Sequence, residues 1–370
     1  MAKSKLSYPI RRDSIMVSQK RFADKFEEID RIQLSQSVCN TMRFALYRSN
    51  LYYLGVGKSV QEDLETYTQY VKTIEMTHLL ISSVRSLDSF SICFKNIQVE
   101  ELYQQVIKDN CFVVYNTFHF GAFISLVDYL AFHNEEVYVL VSSWMKSKPL
   151  EHNKDKVGVF NSKHNSKVNV KLISSEDISC LLQLKEIKEM CQVSHNRVAV
   201  VTLIDGNMLE PTKDRSKYSY YFLNNKVRLR QHVTTMAERL NAPLVHCYVT
   251  SQNQRLKLNI QDVFDFSNSG LTSTEVQKQI CLDFEREITE NSIGLWTMIA
   301  DLHVTIERKE RFSQPTYLVE SDYDDKRFTE VYVGHDLFIF DSKYGILYEA
   351  NNAKMLTTKK EKVLYSNVVA

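Results

Sequence analysis

Apolar positions recur at three- and four-residue intervals from about residue 18 to residue 89. Phe22, Phe26, Ile29 and Ile32 form one such series, and Tyr67, Tyr70, Val71 and Ile74 lie in a second that runs over 64–87. This period predicts a helical lead-in of two or three elements, each with one face turned to a core. From residue 111 the pattern changes. Short β-rich runs, most of them continuously apolar, at 111–116, 137–142, 168–173, 198–204 and 244–250 alternate with helical stretches at 121–132, 177–191 and 232–240. Strands buried on both faces lose the in–out alternation of a half-exposed sheet, and helices between them supply the cover. The expected class is therefore α/β, a mixed central sheet covered by helices on both faces.

Further along, 226–229 and 256–263 read as strands, and 274–291 as an amphipathic helix with Val276, Ile280, Phe284 and Ile288 on one face. A last helical piece is expected from Trp296 to about residue 307. After Pro315 short alternating runs at 329–333, 337–340 and 346–349 are separated by the turn residues Gly334, Asp341 and Gly345, which predicts a small C-terminal β appendage. The expected organisation is an N-terminal helical segment over 1–100, an α/β core over 101–310 and the appendage over 311–370.

Composition narrows the function classes. Lys plus Arg (46) nearly cancels Asp plus Glu (45), so no global field draws the chain to nucleic acid or to an anionic membrane. No stretch approaches the roughly 18–20 apolar residues of a membrane-spanning helix, which leaves peripheral membrane contact open. The seven cysteines are widely spaced without a Cys-x-x-Cys pair, the pattern of reduced thiols in a cytoplasmic protein, and no metal site is expected. Residues 1–22 are basic but lack the apolar stretch of a signal peptide, so export is not expected. Nine glycines in 370 residues leave little room for phosphate-cradling loops, and no Gly-rich nucleotide fingerprint is present.

The candidate chemistry lies in Cys111-Phe-Val-Val-Tyr-Asn-Thr-Phe-His-Phe-Gly-Ala-Phe123, a buried strand that ends in a polar turn and feeds an apolar helix. Ligands of open α/β sheets bind beyond the carboxyl ends of the strands, where His119 would sit. A neutral imidazole there can take a proton from a hydroxyl or amine attacking a thioester. The alternative is a hydrogen-bonded core histidine.

The run His119-Phe-Gly121 resembles the start of the motif of the lysophospholipid-type acyltransferases, in their lipid A late acyltransferase branch: a His, four residues, then Asp or Glu. Val198-Ala-Val-Val-Thr-Leu-Ile-Asp-Gly206 is similar to that family's strand ending in Asp. Asn225-Lys-Val-Arg-Leu-Arg-Gln-His232 with Ala237-Glu-Arg-Leu-Asn-Ala-Pro-Leu-Val245 resembles its strand, basic turn, helix and following strand. Phe284-Glu-Arg-Glu-Ile288 with Leu295-Trp296 resembles its closing helix and Trp-containing stretch. The resemblance covers about 105–305. It implies an αβα acyltransferase sandwich and transfer of an acyl group, without a metal or bound cofactor, from a coenzyme A or acyl-carrier-protein thioester to a hydroxyl or amine.

One position departs from the family's pattern. Where its acid is expected, this chain has Ile124. Asp128, one helical turn further on, and Asp205, at the end of another presumed central strand, are the two candidate replacements. Two other possibilities are that His119 acts alone, or that the fold has lost catalysis and binds an acyl chain or a partner protein. Arg228 and Arg230, in the basic turn before a helix N-terminus, are the candidate seat for an anionic group of the substrate, a merely solvated edge being the alternative for this turn. Asn207 follows Asp205 into the same presumed crevice. His246, in an apolar strand, reads as a core histidine.

Overall fold

The computed structural model describes residues 19–83, 106, 108–133, 136–141, 169–175, 177, 179–205, 219–223, 225–228, 232–252, 255–267, 269–299, 317–319, 327–333, 336–342, 346–350 and 355–358. Its helices are α1 (Gln19–Asp30), α2 (Met42–Tyr53), α3 (Val60–Ser83), α4 (Ser125–His133), α5 (Cys180–Ser194), α6 (His232–Arg239) and α7 (Ser273–Glu290). The first eight strands are β1 (Phe112–Thr117), β2 (Glu136–Val141), β3 (Asn169–Ser174), β4 (Val198–Leu203), β5 (Ser219–Phe222), β6 (Asn225–Arg228), β7 (Leu244–Gln252) and β8 (Arg255–Phe264). The last five are β9 (Tyr317–Val319), β10 (Phe328–Val333), β11 (Asp336–Asp341), β12 (Ile346–Ala350) and β13 (Met355–Thr358). The chain divides into two compact units, a larger one containing 18–33 and 65–307 and a smaller one containing 34–64 and 308–370. The expected helical lead-in is thus shared between the two.

The larger unit is α/β. Its six-stranded sheet runs in the order β3-β2-β4-β1-β7-β8, parallel except for the antiparallel edge strand β8. All of β1 is buried, as are five of the six residues of β2 and of β4, which is why these segments read as continuous apolar runs rather than alternating ones. Crossing from β1 to β2 moves toward the β3 edge, whereas crossing from β3 to β4 and from β4 to β7 moves toward the β8 edge. Right-handed crossovers in opposite directions require opposite faces, so α4 covers one face and α5 and α6 the other. Lys188 of α5 ties these last two together, its Nζ donating to the carbonyls of Leu240 (2.6 Å) and Asn241 (3.0 Å) just past α6.

Two helices begin where local chemistry dictates. A capping box starts α7, the Thr272 hydroxyl accepting from the Glu275 N–H while the Glu275 carboxylate accepts from Thr272 N–H, and Val276, Ile280, Phe284 and Ile288 form its buried face as the period predicts. Helix α4 begins at Ser125 rather than at 121. Gly121 has φ +58°, and a Cβ there would lie 2.5 Å from the Val249 carbonyl, so the chain must cross β7 closely before it can coil.

The helical piece expected from Trp296 begins one residue later and, over the described residues, is a 3-10 turn at 297–299; Trp296 itself is extended and bridged to Phe120, after another 3-10 turn (Ile293–Leu295). The backbone around Trp296 is engaged elsewhere: Gly121 N–H donates to the Leu295 carbonyl (2.8 Å) and Thr297 N–H to the His119 carbonyl (2.8 Å). Residues 300–307 lie outside the described residues. The expected strand at 226–229 appears as β6, which among the described residues pairs with β5 in a two-stranded ribbon.

In the smaller unit the expected appendage is a five-stranded antiparallel sheet, order β10-β11-β12-β13-β9. Ala45 of α2 packs on Val331 and Phe340, with Met42 and Leu46 beside them. Arg48 of α2 is fully buried. Its guanidinium donates to the Asp63 carboxylate (2.7 Å), the Thr329 hydroxyl (2.6 Å) and the Phe328 carbonyl (3.3 Å), so one charged group joins α2, the start of α3 and β10. Removing one partner of such a pair strands the other charge in the interior. Arg48→Ala is expected to lower stability by about 3–5 kcal/mol in urea unfolding, and Arg48→Met with Asp63→Leu to restore most of it; a single variant as stable as the parent would sink this account.

Candidate functional site

In the pairing of β1 with β4, Phe112 lies opposite Val198 and Thr117 opposite Leu203, a constant offset of 86 residues. Carried two residues past both strand ends, the same offset brings His119 to Asp205. The pair thus sits just beyond the carboxyl ends of two adjacent central strands, the position where α/β sheets bind ligands.

The contacts follow from this register. His119 Nδ1 lies 2.8 Å from Asp205 Oδ1, and the His119 backbone N–H donates to both carboxylate oxygens (3.1 and 3.0 Å). Trp296 Nε1–H donates to Oδ2 at 2.8 Å. Asp205 is fully buried, and convergent N–H groups are what a buried carboxylate needs in place of water. The His119 carbonyl in turn accepts from the N–H (2.8 Å) and the hydroxyl (3.0 Å) of Thr297. His119 is therefore held by its ring, its N–H and its C=O, while its side chain remains 23% exposed. With Nδ1–H directed at Asp205, a neutral imidazole carries its lone pair on Nε2. Such a pair can accept a proton from a bound hydroxyl, amine or water, and the carboxylate stabilises the imidazolium that results.

An aromatic cluster braces the site. Phe284 of α7 stacks on Phe118 (ring centroids 3.7 Å apart) and meets Trp296 edge to face (5.3 Å), while Phe222 contacts both Phe284 and Trp296 (5.5 Å each). Phe118, Phe284 and Trp296 are all essentially inaccessible, so the indole that holds Asp205 has little freedom to turn.

Three register positions before the His119–Asp205 pair lies a second polar group, Thr202–Asn116–His246 across β4, β1 and β7. The Thr202 hydroxyl donates to Asn116 Oδ1 (3.2 Å), His246 Nδ1 is 3.2 Å from Asn116 Nδ2, and His246 Nε2 is 2.7 Å from the Tyr248 hydroxyl. His246 is completely buried, and that burial holds its pKa down at about 3, so it is a neutral core histidine, as its apolar strand suggests.

Of the residues singled out in the sequence, the structure brings His119 and Asp205 together. Ile124 lies half-buried in the turn before α4. Asp128 is on α4 and Arg228 ends β6 opposite Ser219, but both side chains, and all of Arg230 and Asn207, lie outside the described residues. Trp296 and Thr297 are the partners that sequence reasoning missed. The only signal was the placement of Leu295-Trp296 after the amphipathic helix, which says nothing of an indole reaching Asp205.

No protein-family model matches the chain, and no curated protein matches it significantly. Among the described residues no helix is long and apolar enough to cross a membrane.

Two outcomes test this description. The unfolded chain binds a proton at a histidine near pH 6.5, the folded chain at His246 only near pH 3. His246 therefore costs nothing above pH 6.5 and destabilises the fold progressively as pH falls through that window, by about 1.4 kcal/mol per pH unit. Urea midpoints measured against pH should decline less steeply in His246→Gln, and an unchanged slope would count against a neutral buried ring. Trp296→Phe removes one donor from Asp205 and is expected to cost about 2 kcal/mol in the same measurement at neutral pH.

Proposed function

We propose that the protein is an acyltransferase that moves an acyl group from a coenzyme A or acyl-carrier-protein thioester to a hydroxyl or amine, with His119 as general base and Asp205 as the carboxylate that orients it. The observation that carries this reading is the 2.8 Å contact between His119 Nδ1 and Asp205 Oδ1 at the carboxyl ends of two adjacent central strands. The ordered resemblance of 105–305 to the lysophospholipid-type acyltransferases supports the reaction class, and the α/β sheet is compatible with it. Asp205 supplies from a neighbouring strand the acid that the family places where Ile124 stands here.

In this reading His119 Nε2 takes the proton as the acceptor oxygen or nitrogen attacks the thioester carbonyl, and the thiolate of the carrier leaves. Asp205 holds the productive tautomer and offsets the charge that develops on the ring. Arg228 and Arg230 are assigned to an anionic group of donor or acceptor, and Asn207 to the same crevice. A soluble or carrier-tethered biosynthetic intermediate is the favoured acceptor.

The test is incubation of the purified protein with acyl-coenzyme A and acyl-carrier-protein thioesters and candidate acceptors, following free thiol and acylated product by mass spectrometry. His119→Ala is expected to reduce turnover by about 10²–10⁴-fold, and Asp205→Asn by at least about 10²-fold. Turnover undiminished in His119→Ala would refute the assignment. Free carboxylic acid in place of acylated acceptor would identify a thioester hydrolase using the same pair, and binding of the thioester without release of thiol would identify a non-catalytic acyl-binding protein.

A further inference from the structure

The opposite end of β1 carries chemistry that the candidate site does not use. Cys111 immediately precedes β1, and Cys191 lies in the last turn of α5; their sulfur atoms are 3.2 Å apart although the residues are 80 positions apart in sequence. Cys191 is buried, and its Sγ also lies 3.1 Å from the Lys188 carbonyl, to which it donates. Cys111 is half-buried and forms part of the wall of an open cleft of about 570 Å³. Lys108, Lys188, His195 and Arg197 also line this cleft, with Asp109 as the one carboxylate among the described residues.

We propose that Cys111 and Cys191 are a modification site, a thiol pair that closes to a reversible disulfide when a low-molecular-weight disulfide such as oxidised glutathione enters this cleft. Three observations lead there. The sulfurs need approach by only about 1.2 Å more to reach the ~2.05 Å of an S–S bond. The partly exposed member faces a cleft wide enough for a small reagent, so attack from outside has an entry. The basic lining favours a reagent bearing carboxylates.

The exchange balances in two steps. The Cys111 thiolate attacks one sulfur of oxidised glutathione, forming a mixed disulfide and expelling one glutathione thiolate. Cys191 then loses its proton to solvent and attacks the Cys111 sulfur, expelling the second glutathione. Two protein thiols are oxidised and one glutathione disulfide is reduced to two thiols. The order follows from access and from protonation: burial and the neighbouring Cys111 push the Cys191 thiol up to about 12, so Cys191 stays protonated at neutral pH until the mixed disulfide stands beside it. The product joins α5 to the start of β1, and a closure over 80 residues restricts the unfolded chain considerably.

The full-length protein, first reduced, is incubated with oxidised glutathione and examined by intact mass and by peptide mapping without reduction. The expected result is loss of two hydrogens, one cross-linked peptide pair containing Cys111 and Cys191, a Tm about 5–10 °C higher, and reversal by dithiothreitol. Cys191→Ser should stop at one glutathione on Cys111, and Cys111→Ser should form neither species. Both serine variants change the side chain little, and their unmodified Tm values verify that they fold. The proposal is overturned if both thiols stay free under oxidant, if the link joins any other cysteine, or if Cys191→Ser forms the same intramolecular bond.

Discussion

The parallel pairing of β1 with β4 sets where His119 and Asp205 meet, because the two residues lie the same distance past the ends of two strands whose register is uniform. A slip of one residue would turn one side chain to the opposite side of the sheet and separate the pair. The register is protected by burial. All six positions of β1 are inaccessible, and the row Thr202–Asn116–His246 adds hydrogen bonds that only one alignment satisfies. The neutral histidine below thus helps to position the exposed one above.

The second requirement is a rigid roof. Phe284, Trp296, Phe118 and Phe222 form a continuous aromatic cluster, and the backbone of 119–121 is bonded to that of 295–297. Side chains on strand ends would otherwise share the mobility of the loops that follow them. Gly121 makes the arrangement possible: with no Cβ, the chain after His119 passes close over the Val249 carbonyl, where any other residue would push it outward and carry His119 along.

The centre of the sheet is legible because β1, β2 and β4 are buried on both faces and so read as unbroken apolar runs. The run at 198–204 ending in Asp205 could be recognised as a strand with a carboxylate at its tip. Whether Asp205 or Asp128 faced His119 could not be decided, since the distance between Asp205 and His119 depends on which strands are neighbours and in what register, and neither is a local property. Trp296 departs from its expected helical state for a related reason. Its apolar neighbours suit a helix, but the hydrogen bonds that keep Trp296 extended between two 3-10 turns come from residues 119–121, more than 170 positions earlier. Gly121 likewise read as the start of a helix, because a close approach to β7 leaves no trace in the sequence around it.

The smaller unit has a consequence for how the chain is made. Arg48 finds its hydroxyl partner 281 residues downstream, and the Ser49 hydroxyl its carbonyl partner 293 residues downstream. At roughly 5–20 residues per second, β10 leaves the ribosome on the order of tens of seconds after α2. Throughout that interval α2 has no sheet to lie on, and residues 65–307 of the larger unit are synthesised in between. Vectorial synthesis therefore gives the α/β unit the first opportunity to fold, and leaves α2 waiting for its strands as a late closure.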